Sequence, residues 1–552
     1  KRFQLPLLIL ILSAGSLGFV TSVSDNYFEI SKNLTIFGKL YREINTLYVD
    51  EPDPTKLMRE GIDAMLGSLD PYTNYISAGE VEDFRFKTSG QYCGIGVTVS
   101  EREGRVLITE GYEGDPAVEA GVKVGDEIVM IDNEQVKGKS KTQQDIRTLL
   151  RGQAGTPVVL TIMREGETEL RKITVTRRDI KVDNVSYYGM VNEKTGYIAL
   201  TGFTQEAGKE VREAFEKLKK ENPKMTGVVL DLRNNLGGLL HEAVNVASVF
   251  VKNNEMVVET RGREESAQKK YYTRENPVDT IMPVSVLINS HSASASEIVV
   301  GALQDLDRAV VVGQRSFGKG LVQTTRPLVY ESQLKLTTAK YYIPSGRCVQ
   351  ALDYSHRSAD GSVGKMADSL KKAFRTRNGR AVFDGGGVDA DIEIKPTPYA
   401  TVTNELIVQG IIFDFITKFV SKSPKIADSR AFKVTDEMYA DFIKYVEGRN
   451  FKYETPAEKE LAKLKDLMDT EHHFENIAAE YKLLDNKIKQ LKNNELMLNR
   501  KDIAKEMENE VIKRYFYRRG MIEASFNHDE VLKTAVEVLG NEAKYKKILA
   551  RK

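Results

Sequence analysis

Cysteine is nearly absent. The 552 residues hold two, Cys93 and Cys348, too few and too far apart for a disulfide scaffold, and no CxxC pair offers zinc or redox chemistry. Both are expected to be unpaired. Excess charge of one sign is missing too: 80 Lys and Arg face 79 Asp and Glu, a net charge of +1. No whole-molecule field therefore draws the chain to nucleic acid or to an acidic membrane surface, and partners must be selected by local chemistry. There is no internal repeat of solenoid period and no long low-complexity tract. What is present, 41% hydrophobic and 29% charged residues, is an ordinary globular composition, which argues against wholesale disorder or a polytopic membrane protein. The length predicts several domains.

Lys1 and Arg2 stand before the apolar run Leu5 to Leu12, followed by small residues and a second apolar patch to Val20. This is the layout of a secretion signal over 1–22, either cleaved or kept as a membrane anchor. It predicts export, to a bacterial periplasm or cell envelope. Over 31–85 the apolar spacing is helical, broken at Pro52 and Pro54. Over 90–178 short β runs such as Val106 to Ile108 and Val158 to Ile162 alternate with glycine-containing turns, and Gln143 to Leu150 reads as one helix. Over 190–396 strands (Val228 to Leu232, Val284 to Ile288, Ala309 to Val312) alternate with helices, an α/β pattern. Over 401–552 apolar residues recur at helical spacing in a strongly charged background, predicting a C-terminal helical domain.

In the β-rich module, Gly94, Ile95, Gly96 and Val97 stand at the entrance to a strand, where successive backbone N–H groups can converge on a carboxylate. The strand from Val97 is suited to accept a peptide by edge pairing, with the 143–150 helix as the opposite wall. Downstream, Asp115-Pro116-Ala117 leads through Ala120-Gly121 to Gly125-Asp126, a run that resembles the central signature of PDZ domains. The resemblance implies recognition of free protein C-termini, with the carboxylate on the Gly94 to Val97 backbone and an apolar last side chain in the groove.

The sharpest constellation is Ser292-Ala293-Ser294-Ala295-Ser296-Glu297, between the strand ending at Ile288 and the apolar-periodic run Ile298 to Leu306. Small residues let a substrate approach, and a helix N-terminus favours developing negative charge. Helix capping accounts for Ser and Glu here equally well. A second segment, Phe317-Gly318-Lys319-Gly320, places one lysine among glycines and apolar residues after the strand ending at Val312. A free lysine, with a pKa of about 10.4, is neutral in only about one molecule in 2,500 at pH 7. Desolvation that lowers it to about 7 to 8 would let it take a serine proton and return it to a leaving amine.

With Gln323 four residues after Lys319, these segments resemble the C-terminal processing peptidases, or tail-specific proteases, over about residues 37–395. The resemblance implies a crotonase- and Clp-protease-like α/β core with an inserted PDZ domain, Ser294 as nucleophile, Lys319 as general base and Gln323 as the group orienting the lysine. Ser292 and Ser296 are then structural. The segment Val228 to Leu240 resembles the family's strand and glycine turn, which assigns the oxyanion donors to the backbone of Gly237 or Gly238 and of Ala295. Leu236 stands where the family carries proline or glycine, a departure that removes no donor.

Three other readings fit less well. Gly313-x4-Gly318-Lys319 approaches a phosphate-binding loop, but Gly320 lacks the hydroxyl that would hold magnesium. His241 and His291 suggest a Ser-His-Asp triad, yet His291 shares the turn with Ser294. His472 and His473 are adjacent and point to different faces of a helix. The expectation is an exported serine endopeptidase without metal or cofactor, acting on the apolar C-terminal tails of envelope proteins, with a homodimer through its amphipathic helices. The alternative is an inactive PDZ scaffold that only binds chain ends.

Overall fold

The computed structural model describes residues 27–550 apart from 139–140, 358–360, 424, 427, 429 and 450. The expected signal over 1–22 lies outside the described residues. No helix among the described residues is long and apolar enough to cross a membrane. The chain forms two compact units.

The smaller unit comprises the residues up to Ser77 together with Thr325–Thr337. A helix over 27–47 is followed by a second, Pro54–Gly67. The proline pair makes the break between them: Asp53 caps the second helix by accepting the N–H groups of Thr55 and Lys56, and Pro54 occupies a first-turn position where no N–H is needed. The helical pattern does not anticipate the short strand Asn74–Ile76, which pairs antiparallel with 333–335.

In the larger unit, the β-rich module is an antiparallel sheet in the order 97–102, 105–111, 127–131, 157–163, 171–176. Ile95, Val99, Ile108, Ile128 and Leu160 are in its core. The helix Gln143–Leu150 carries a capping box between Thr142 and Asp145 and packs on the edge strand. The ribbon Gln91–Gly94 with Arg178–Lys181 joins the module to the α/β domain.

That domain is a six-stranded sheet in the order 185–190, 195–200, 227–231, 284–288, 310–313, 392–393, parallel except for its first pair. Its central strands are largely apolar on both sides because both faces are covered. Val228, Leu230, Val286, Ile288 and Val311 pack on one face with the helices Ala207–Glu221, Leu240–Ser248 and Ala295–Asp305. Val229, Leu287, Val310 and Val312, alternating with them, pack on the other face against Phe526, Leu532, Val538 and Tyr545. The last two helices, Glu530–Leu539 and Glu542–Leu549, thus complete the sheet domain instead of standing apart with the helical tail. Tyr545 is tied in by its hydroxyl, which accepts the Val284 N–H at 3.1 Å and donates to the Arg308 carbonyl.

The remaining tail helices between Thr401 and Ser525 enclose their own core of Leu406, Phe415, Ile416, Phe442, Met507 and Val511. This core is tied to the β-rich module by ion pairs of Arg102 with Asp414 and of Lys513 with Glu110.

Candidate active site

Ser294 stands where the chain leaves the strand Val284–Ile288 and enters the helix Ala295–Asp305. Its backbone, φ 57° and ψ −114°, is a conformation that L-residues adopt only under constraint. The constraint comes from its neighbours. Ser292 and Ser296 are fully buried; their hydroxyls donate to the carbonyls of Leu232 and Asn235, each at 2.9 Å, and the Ala293 N–H donates to Asn235 at 3.0 Å. Both hydroxyls are therefore engaged in holding the turn, and Ser294 alone of the three is partly exposed.

Lys319 lies in the turn after Val310–Gly313, partly buried. One residue joins this turn to Ser294. The carboxylate of Glu297, with no exposed surface, accepts the N–H groups of Ser294 (2.9 Å) and Lys319 (2.8 Å) on one oxygen. On its other oxygen it accepts the Gly318 N–H (2.7 Å) and the Ser316 hydroxyl (2.6 Å). The Ser294 and Lys319 backbone nitrogens are thus held less than about 6 Å apart. Burial pushes the Glu297 carboxyl above the usual range, against the pull of these four donors. Buried Tyr341 adds a second tie, its Oη lying 3.1 Å from the Ser294 carbonyl and 2.5 Å from that of Lys319. The sequence reading missed both residues. Glu297 reads as an ordinary N3 capping residue, because its second set of partners lies 19 to 22 positions downstream.

Gln323 is partly buried on the strand Leu321–Pro327 that leaves the lysine turn. Gly237 packs directly against the serine turn. With φ at 94°, a β-carbon there would lie 2.7 Å from the Ala293 carbonyl and 2.8 Å from both the Ala295 nitrogen and the Ser294 Cβ. Its own N–H is engaged, donating to Asn235 Oδ1 at 2.9 Å. Among the described residues no acceptor takes the N–H of Gly238 or of Ala295. Leu236, the departure from the family pattern, is 70% exposed and disturbs nothing. The strand that carries this turn is braced by Arg233, which pairs with Asp231 and with Asp529 from the tail.

His241 and His291 expose their rings and have no hydrogen bond to Ser294. Both cysteines are free thiols.

In the β-rich module Gly94, Ile95 and Gly96 are buried, with Gly96 at φ 76° and Val97 opening the edge strand Val97–Arg102. Among the described residues that strand pairs on one side only, with Arg105–Gly111, and the helix Gln143–Leu150 lies along it. Gln143 Nε2 donates to the Val99 carbonyl at 2.7 Å.

An α/β domain whose serine and lysine turns are clamped together thus shares the chain with a β-rich module ending in the edge strand Val97–Arg102. Residues 194–354 match the family described as Peptidase family S41, 93–175 the PDZ domain, and 402–539 the "Probable PDZ-protease, C-terminal helical domain". The carboxy-terminal-processing protease of Bartonella bacilliformis is 39% identical over 344 residues, 62% of this chain and 78% of that protein. A "Probable CtpA-like serine protease" of Staphylococcus aureus is 34% identical over 320 residues, 57% of this chain and 62% of that one. A solved photosystem II D1 C-terminal processing protease is 26% identical with a TM-score of 0.36, covering 66% of this chain and 93% of that one. The chain belongs to the carboxy-terminal-processing protease family.

Proposed function

We propose that the chain is a serine endopeptidase working through Ser294 and Lys319. The neutral Lys319 amine takes the Ser294 hydroxyl proton as Oγ attacks the scissile carbonyl, and the resulting ammonium returns that proton to the departing amine. Water, deprotonated by the same lysine, then attacks the acyl carbonyl, and the lysine returns that proton to Oγ as the acyl group leaves as a carboxylic acid. The oxyanion is met by the N–H groups of Gly238 and Ala295, since Gly237 spends its own on Asn235. Gln323 orients the lysine. The observation that carries this reading is the Glu297 carboxylate, a buried charge whose hydrogen bonds join the serine turn to the lysine turn.

The Gly94 to Val97 backbone receives the substrate's terminal carboxylate, and the edge strand from Val97 receives its last residues. Substrates are proteins with apolar C-terminal tails. The same proposal places the protein outside the cytosol, in a bacterial envelope, with residues 1–22 as signal or anchor. It also makes the protein a homodimer through the helix over 27–47, whose Phe28, Leu34, Leu40 and Leu47 are exposed.

The test is hydrolysis of a protein ending in apolar residues, by the full chain and by Ser294→Ala, followed by mass spectrometry of the products. Cleavage lost in the variant supports the peptidase. Binding without cleavage by the unaltered chain would leave the inactive scaffold. Comparison of envelope-protein C-termini in cells carrying Ser294→Ala tests substrates and location together, and sedimentation tests the dimer.

A further inference from the structure

Asp115 stands at the N-cap of the helix Pro116–Glu119, yet its side chain caps nothing. It turns instead onto the loop proposed to receive the substrate carboxylate. A β-carbon on Gly96 would lie 2.3 Å from Asp115 Oδ2 and 2.4 Å from Asp115 Cβ, so only a hydrogen on Gly96 leaves room for the carboxyl. Among the described residues that carboxyl has no hydrogen-bond or ion-pair partner. Arg178, the cation facing it from the strand Arg178–Lys181, donates instead to Glu119 and to the Gly114 carbonyl, each at 2.9 Å.

The remaining titratable groups that face Asp115 give it no positive charge. Glu119, on its own helix, is like-charged, and the Tyr92 hydroxyl, on the strand Gln91–Gly94, is neutral, pushed up to about 12 chiefly by burial and next by Asp115 itself. Arg151 stands over the Tyr92 ring and is paired with Asp83.

A peptide carboxylate on the Gly96 N–H would lie within roughly 8 Å of Asp115 Oδ2, given one N–H···O bond and the Cα–N bond length. That is no farther than a Debye length at physiological salt. Two carboxylates cannot both remain ionised there without mutual repulsion, whereas a neutral carboxylic acid beside a carboxylate adds no repulsion.

We infer that Asp115 makes capture of a free C-terminus proton-linked: the loop takes a substrate carboxylate when Asp115 is protonated and resists it when Asp115 is ionised. Burial first, opposed by Arg178 and reinforced by Glu119, pushes the Asp115 carboxyl up to about 6, so the protonated form is populated in mildly acidic surroundings. A bound carboxylate favours that form further, so affinity falls as pH rises above about 6, by at most tenfold per pH unit for one proton. This inference rests on the proposed role of the Gly94 to Val97 loop.

The experiment measures binding of a rhodamine-labelled peptide ending in valine, free of His, Asp and Glu, to the full chain carrying Ser294→Ala, by anisotropy from pH 5 to 8. The expected result is weakening of up to tenfold per unit above pH 6, with Asp115→Asn and Asp115→Ser both flattening the curve at the acid-side affinity. A flat curve for the unaltered loop, or an unchanged slope in both variants, overturns the inference. Equal binding of the amidated peptide at all pH values instead overturns the reading that the loop holds a carboxylate, and failure is thereby assigned to one or the other.

Discussion

Glu297 accepts the backbone N–H of Lys319 at 2.8 Å through the oxygen that also accepts the N–H of Ser294 at 2.9 Å. The carboxylate thereby sets the distance between two turns that sequence places 25 residues apart. A glutamine at 297 has one acceptor oxygen and presents NH2 to two of the four donors. Leaving buried donors unpaired costs on the order of 1–3 kcal/mol each. We expect Glu297→Gln to lower the urea midpoint and to reduce kcat by 100-fold or more with KM little changed, because the loss falls on the reacting groups and not on the peptide-binding module. Unaltered kcat would mean that the clamp does not position the dyad.

A lysine base is competent only when neutral. Lys319→Ala is expected to abolish hydrolysis while leaving the circular dichroism spectrum and melting temperature of the folded protein. Hydrolysis is expected to survive EDTA, since no step of this mechanism passes through a metal. Near-normal turnover in Lys319→Ala, or loss in EDTA restored by zinc, would remove the lysine from its role.

Gly237→Ala tests the contact of the glycine turn with the serine turn. The new methyl would meet the Ala293 carbonyl at 2.7 Å and the Ala295 nitrogen at 2.8 Å, both backbone, and φ at 94° strains any L side chain. Neither neighbour can move without shifting Ser294. The expected outcome is a folded protein with kcat down by at least tenfold and peptide binding by the edge strand unchanged.

The serine and lysine turns were legible in the sequence because each needs small residues beside one chemical group, and local chemistry of that kind survives in a string of letters. The same holds for the PDZ loop, where Gly96 adopts the positive φ that its residue type permits. What was not legible is pairing across distance. Glu297 follows Ser294 by three positions and reads as a cap; nothing local says that its carboxylate also reaches Lys319. The Gly237 N–H looked as available as that of Gly238 until Asn235 was seen to accept it. The strand Asn74–Ile76 exists through its pairing with 333–335, more than 250 residues away, and its three residues carry no periodicity of their own. Likewise an amphipathic helix announces that one face is covered without saying by what.

The last of these has a direct consequence at the C-terminus. Leu532, Ala535 and Val538 are buried on the face of the peptidase sheet opposite the Ser294 helix, and Phe526 packs edge-on against Tyr187 and Tyr197. Asp529 caps the helix Glu530–Leu539 through the Leu532 N–H at 3.0 Å and pairs with Arg233 at 2.7 Å. Burial raises its carboxyl, but Arg233 and the helix N–H groups outweigh burial and hold it below the usual range. A depressed folded value means that the stabilisation is present above the unfolded pKa of about 3.9 and is lost as pH falls through the folded one. Asp529→Asn should therefore cost about 1–3 kcal/mol at pH 7, read from urea unfolding, with the difference from the unaltered protein vanishing in acid. Removal of everything after Ser525 is expected to do more, because it strips one face of a sheet whose strands are apolar on both. That truncated chain should aggregate or unfold, with loss of hydrolysis following from the fold. A soluble, active chain ending at Ser525 would show that the sheet does not need this cover.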